Sequence, residues 1–132
     1  MDNSNRGSGA RFEAALADTL ADSGYWVHLL TQNKAGQPAD LIAVRNGDAY
    51  LIDCKECKCG KFPLSRMESN QLSAMELWLS LGNGSGWFAL KLSDGSVFML
   101  PHTLLTSLAA DGTASLSEEM IKKLGVVLEV WK

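Results

Sequence analysis

No run of about 18 apolar residues occurs in the 132-residue chain, so a membrane-spanning helix is not expected. The opening Met1-Asp2-Asn3-Ser4-Asn5 lacks the basic and apolar regions of a secretory signal, and a cytoplasmic protein is expected. No internal repeat and no low-complexity segment is present. No glycine-rich loop leads into a helix to cradle a phosphate, and no serine or cysteine has a recognisable base partner for acyl transfer. Cysteine is scarce: Cys54, Cys57 and Cys59 fall close together, but zinc needs a fourth ligand, and His28 and His102 are both distant in sequence. Three reduced thiols are expected instead. Neither sign of charge dominates. The 12 Lys and Arg against 15 Asp and Glu give a net charge of −3, a weak argument against a nucleic-acid partner. The local pattern outweighs that total, because Lys55, Lys58, Lys61 and Arg66 form a basic stretch and carboxylates gathered around an ion invert the local field.

What remains is a soluble globular composition, 46% hydrophobic and 20% charged, of a length suited to one core. Residues 1–8 are polar and Gly/Ser-rich and are expected to form a flexible arm, with residues 9–132 as a single domain. Phe12, Leu16, Thr19 and Leu20 recur at helical spacing between Gly9 and Ser23, with Gly24 as the stop. Tyr25 to Leu30 reads as a strand, Thr31 to Pro38 as a polar loop, and Cys57 to Leu64 as another loop. Ser65-Arg66-Met67-Glu68 has the capping-box pattern and predicts a helix from Arg66 to about Leu81. Trp87–Leu92 and Val97–Leu100 predict a second hairpin. A short helix over Leu104–Ala109, another from Ser117 to Gly125 and a last strand over Val126–Val130 complete an α/β domain with a mixed central sheet.

The most informative stretch runs from Pro38 to Lys55. Two apolar runs, Leu41–Val44 and Ala49–Ile52, flank Arg45-Asn46-Gly47-Asp48. Asn-Gly between such runs signals a type I′ hairpin, because both central residues need positive φ. With Asn46 and Gly47 at the tip, Asp40 falls opposite Asp53, and the period of two puts Lys55 on the same face. Leu41, Ala43, Tyr50, Ile52 and Cys54 point the other way and are the expected core side. Opposed carboxylates repel in a purely structural strand pair. A divalent cation relieves that conflict, and hard oxygen ligands suit Mg²⁺ or Mn²⁺. Such an ion lowers the pKa of a bound water and polarises a phosphoryl oxygen, while Lys55 can orient the water or neutralise developing charge. Metal-dependent phosphodiester hydrolysis fits these parts. Glu13, in the first helical turn, and Gln71, in a later helix, read from spacing alone as a helix-dipole partner and a solvated position.

Pro38-Ala39-Asp40, a hairpin, and then Asp53-Cys54-Lys55 resemble the PD-(D/E)xK nuclease signature. Within that superfamily the chain resembles a Holliday junction resolvase of the RecU type. Asn5-Arg6-Gly7 with Phe12-Glu13, and Lys55-Glu56 with Phe62-Pro63-Leu64 and Gln71, extend the likeness over residues 5–75. Two departures stand out: Asp53 replaces the usual Glu, and only Thr31–Ala39 is available for the stalk of RecU proteins. A stalk-less chain resembles the compact archaeal resolvases or a phage-encoded version. The resemblance implies a restriction-endonuclease-like core. It also implies a Mg²⁺ (or Mn²⁺) held by Asp40, Asp53, the Cys54 carbonyl and Glu13, with Lys55 catalytic and Gln71 accessory. Its implied partners are DNA, as four-way junctions, and a second copy in a homodimer, with Trp78, Trp87 and Trp131 as candidate apolar anchors. Arg6, Arg11, Lys34, Lys58, Lys61 and Arg66 are the candidate DNA contacts. The alternatives are a nuclease for a flap, end or duplex site, and a non-catalytic DNA-binding module, against which the intact Glu13, Asp40, Asp53 and Lys55 argue.

Overall fold

The structure, a computed structural model, describes the backbone of residues 3–30 and 37–132, with side chains from residue 9 onward. The first helix, α1 (Asn3–Asp22), begins at Asn3 rather than at the expected Gly9. It buries Phe12, Leu16 and Leu20, which the four-residue spacing stacks on one face. Gly24, at φ +96°, closes it: Gly24 N–H donates to Ala21 O at 3.0 Å and Tyr25 N–H to Leu20 O at 3.1 Å, the paired bonds of a left-handed helix stop.

Three strands follow in sequence, β1 (Trp26–Leu29), β2 (Leu41–Arg45) and β3 (Asp48–Glu56). The β2–β3 register is the one the Asn-Gly turn demands, from Leu41 opposite Ile52 to Arg45 opposite Asp48, with Asn46 at φ 55° and Gly47 at φ 83°. Next come β4 (Lys61–Pro63), a 3₁₀ turn (Leu64–Arg66) and α2 (Ser69–Ser80). After these the chain runs through β5 (Trp87–Lys91), β6 (Val97–Pro101), α3 (His102–Ala110), β7 (Ser115–Ser117), α4 (Glu118–Leu124), β8 (Val126–Val127) and α5 (Leu128–Trp131). The six-stranded sheet has the order β1-β2-β3-β5-β6-β8 and is mixed: β3 and β5 are parallel and the other neighbours antiparallel. The crossover from β3 to β5 carries α2 over one face. β4 and β7 form a separate two-stranded ladder.

Four expectations are corrected. The segment 57–64 is not all loop, because Lys61–Pro63 pairs with Ser115–Ser117. The last strand is two residues long and gives way to α5, whose Trp131 stacks on Tyr25 at 6.0 Å and meets Tyr50 and Trp87 edge-on. Trp87 and Trp131 are therefore engaged inside the chain. The hairpin buries both faces: Leu41, Ala43 and Ile52 join the core under α1, while Leu51 and Ile42 join a second core that includes Phe62, Met75, Leu105 and Ile121. Finally, α2 starts at Ser69, with Glu68 as its N-cap in place of Ser65, because Leu64–Arg66 is spent in the 3₁₀ turn.

Gly86, buried just before β5, holds α2, α3 and the sheet together. Its N–H donates to His102 Nδ1 at 2.8 Å, and its carbonyl accepts from His102 N–H at 2.8 Å. With Nδ1 accepting, the proton is on Nε2, which donates to Glu76 Oε2 at 2.7 Å. A Cβ on Gly86 would overlap Met75 Cγ, and Met75 is fully buried. Gly86→Ala is expected to cost about 1–3 kcal/mol by overpacking and to lower the melting temperature by several degrees. A thermal melt equal to wild type would contradict this packing.

Candidate active site

The open end of the β2–β3 hairpin lies against the start of α2 and residues 9–13 of α1, leaving a cleft of about 420 Å³. Asp40 sits where β2 begins, its N–H donating to Ile52 O at 3.0 Å and its carbonyl accepting from Leu30 N–H at 2.9 Å. Its carboxylate is held twice, Oδ1 by Gln37 Nε2 and Oδ2 by Cys54 N–H at 2.6 Å. The Cys54 N–H points toward Asp40, and a residue's N–H and C=O share one side of a strand. The Cys54 carbonyl therefore faces the same open edge, beyond the end of the β2–β3 ladder.

Asp53, 1% exposed, is held by Gln71, whose Nε2 donates to Oδ1 at 3.0 Å. The other end of the Gln71 amide accepts from Glu68 N–H at 3.3 Å. This is the N3 side of the capping box, so one side chain both starts α2 and orients a carboxylate. Asp53 Oδ2 is buried with no hydrogen-bond partner, although Lys55 Nζ lies 3.3 Å away as an ion pair. Lys55 also lies 3.7 Å from Glu68 Oε2.

The electrostatics show the crowding. Burial, then the charge of Asp40, pushes Asp53 up from 3.8 to about 8, against the lowering effect of Lys55. Glu13, reaching in from α1, is pushed up to about 7 by burial and then by the charge and hydrogen bond of Asp40. One ammonium does not balance three carboxyl groups. Among the described residues no three His, Cys, Asp or Glu side chains form a ready-made metal cluster. The groups that could hold an ion are the two buried carboxylates, the Cys54 carbonyl and the adjacent Glu13, with one carboxylate oxygen lacking a hydrogen bond. That set fits a hard divalent cation that keeps several waters. The thiols fit a metal poorly, since burial pushes Cys57 up to about 11 and Cys54 well above its ordinary value.

Glu13, Asp40, Asp53, Cys54, Lys55 and Gln71 thus meet in one cleft, with Lys58 and Arg66 at its wall. Arg66 also donates to Glu56 O at 2.5 Å. Arg11 is exposed on α1 and lines a neighbouring groove with Lys91, and Lys61 is exposed at the start of β4. The side chain of Arg6, and Lys34 altogether, lie outside the described residues. Sequence reasoning misses Gln37, Glu68 and Asn70, which also line the cleft. None of the three carries a periodicity signal, and Glu68 is masked by its apparent place in the wrong capping box.

A model of the archaeal Holliday junction resolvase family (Hjc) matches residues 3–129 of the chain. Among solved structures the chain is similar to Hjc of Archaeoglobus fulgidus, a Holliday junction resolvase from an archaeal hyperthermophile. The TM-score is 0.67 and the identity 17%, over 89% of this chain and 93% of that one. At that identity the structural likeness speaks to the fold. No curated protein matches the sequence. The match lies with the archaeal family and lends no support to the RecU type, in keeping with the short segment before Asp40.

Proposed function

The chain belongs to the archaeal Holliday junction resolvase family, and from that premise we propose that its cleft is the catalytic centre, with Asp40, Asp53, Glu13 and the Cys54 carbonyl as the metal-binding set. It is a metal-dependent, junction-resolving endonuclease by family. The observation that carries the site assignment is the buried Asp40 and Asp53 pair with Lys55 Nζ 3.3 Å from Asp53 Oδ2. The ion is Mg²⁺ or Mn²⁺; when bound it supplies a Lewis acid at the scissile phosphate and a more acidic water. Gln71 holds one oxygen of Asp53, which would leave the other, beside Lys55, for the ion. Lys55, 14% exposed and tethered between Asp53 and Glu68, presents its ammonium where charge develops on the phosphate oxygens. Lys58 and Arg66 receive flanking phosphates, so affinity falls as salt rises.

The working unit is a homodimer, since paired nicks in symmetric strands need two active sites related by a dyad. A DNA substrate calls for action in the cytoplasm. No helix among the described residues is long and apolar enough to cross a membrane.

The test is cleavage of a labelled four-way junction beside matched linear duplex, with Mg²⁺ and with EDTA. Paired symmetric nicks confined to the junction and dependent on Mg²⁺ are expected. Equal cutting of the duplex would overturn junction selectivity. Binding without cutting would overturn catalysis. Lys55→Ala should slow cleavage roughly a hundredfold, as loss of one aimed donor does, while Mn²⁺ binding measured calorimetrically changes little. A wild-type rate would remove Lys55 from the mechanism.

A further inference from the structure

Three buried side-chain polar atoms among the described residues lack a hydrogen-bond partner, and two of them, Asp53 Oδ2 and Gln37 Oε1, belong to residues lining the same cleft. Both are acceptors. Orphaned buried acceptors are costly, and in native proteins they mark a missing donor, water or ion. Asp53 Oδ2 is accounted for as a metal ligand. Gln37 Oε1 is not, and Gln37 belongs to neither the signature nor the basic stretch.

Gln37 is 7% exposed and is fixed at two points. Its Nε2 donates to Asp40 Oδ1, which sets the amide's orientation, since the opposite flip would place an oxygen against the carboxylate. Its backbone carbonyl accepts from Asn70 Nδ2 at 3.1 Å, tying the residue to the first turn of α2. The side chain thus has one end on Asp40 and a bare oxygen at the other. A hydrated divalent cation on Asp40 would offer that oxygen water O–H donors, because Mg²⁺ and Mn²⁺ held by few carboxylates retain several waters.

We infer that Gln37 is a positioning residue for the metal, orienting Asp40 through its Nε2 and accepting a hydrogen bond from a metal-bound water through its Oε1. This rests on Asp40 and Asp53 being the metal ligands. Gln37 and Gln71 then do parallel work, each amide fixing one carboxylate, and Asn70 braces the former as the capping box braces the latter. Partners of this kind, one bond removed from the ion, typically change metal affinity by about 10–100-fold when lost.

The test is calorimetric titration of Mn²⁺ into DNA-free wild type, Gln37→Leu, Gln37→Glu and Asp53→Asn, with each fold checked by melting in EDTA. Gln37→Leu should bind Mn²⁺ at least tenfold more weakly, while Gln37→Glu, which keeps an acceptor oxygen but loses the Nε2 donor to Asp40, should bind more weakly than wild type yet more tightly than Gln37→Leu. Wild-type affinity in Gln37→Leu, with binding lost in Asp53→Asn, would overturn this role and leave the site assignment standing. Equal weakness in Gln37→Leu and Gln37→Glu would assign the loss to the Nε2 contact and overturn the water-accepting role. Undiminished binding in Asp53→Asn would overturn the site assignment and this inference with it.

Discussion

Asp53→Asn is expected to slow junction cleavage by about a thousandfold or more while leaving junction affinity near that of wild type. The substitution preserves shape and keeps an oxygen for the Gln71 Nε2 bond, now 3.0 Å long. It removes the buried charge that, with Asp40, would hold the ion. Loss of a Lewis acid forfeits several kcal/mol of transition-state stabilisation, and each 1.36 kcal/mol is about tenfold in rate. On the proposed assignment DNA affinity rests instead on phosphate contacts from the rim, where Lys58 and Arg66 line the cleft and the substitution does not touch them. Single-turnover cleavage and a mobility shift on the same junction separate the two quantities. Cleavage at the wild-type rate would show that Asp53 is not a ligand.

The parts of this site that were legible in the sequence are those governed by short-range backbone rules. Asn46 and Gly47 both take positive φ, which fixes the turn, the turn fixes the register, and the register brings Asp40 and Asp53 together with Lys55 on the latter's face. Glu13 and Gln71 are not legible by spacing; each has an ordinary helical reading, and only the resemblance marks them. The structure supplies the physical reason for Gln71, because the true capping box runs from Glu68 to Gln71 and turns its amide onto Asp53. Two overlapping Ser/Glu–x–x–Glu/Gln patterns compete there, and the 3₁₀ turn over Leu64–Arg66 decides between them. That turn follows β4, whose pairing with β7 spans residues more than fifty apart and only three per strand, too few to show alternation. Gln37 lay beyond sequence reasoning altogether, since its role depends on the end of a loop meeting the N-terminus of α2.

The cleft concentrates unfavourable terms in a small volume: two buried carboxylates, a third pressed against them and one ammonium. The two cores on either side of the sheet supply the compensation. Phe62, Phe88, Leu16, Leu20, Met75 and Leu105 are all buried, each contributing about 1.5–3 kcal/mol relative to exposure. A fold with that reserve tolerates a destabilised site, and a cation held there would relieve the repulsion.

Mg²⁺ should accordingly raise the melting temperature by several degrees at pH 8 and by little at pH 5. In the metal-free chain Asp53 is pushed up from 3.8 to about 8 and Glu13 from 4.5 to about 7, so the folded state holds protons more tightly than the unfolded one. A carboxyl raised in this way contributes its full stability below its unfolded pKa, and that contribution is lost as pH rises through the folded value. The metal-free protein therefore loses stability between about pH 4 and pH 8 on account of these groups. At pH 8 the cation meets a Glu13 that is largely ionised and an Asp53 that is about half ionised, and offsets their repulsion; at pH 5 it must displace protons first. Saturation at a hundred times Kd would stabilise by about 2.7 kcal/mol, which is several degrees for a domain of this size. Asp53→Asn isolates the cause from every other titrating group. In EDTA its melting temperature should exceed that of wild type by a margin that widens from pH 5 to pH 8, and its response to Mg²⁺ should be small. A margin that stays constant or narrows over that interval would mean that Asp53 is not the group whose ionisation strains the site.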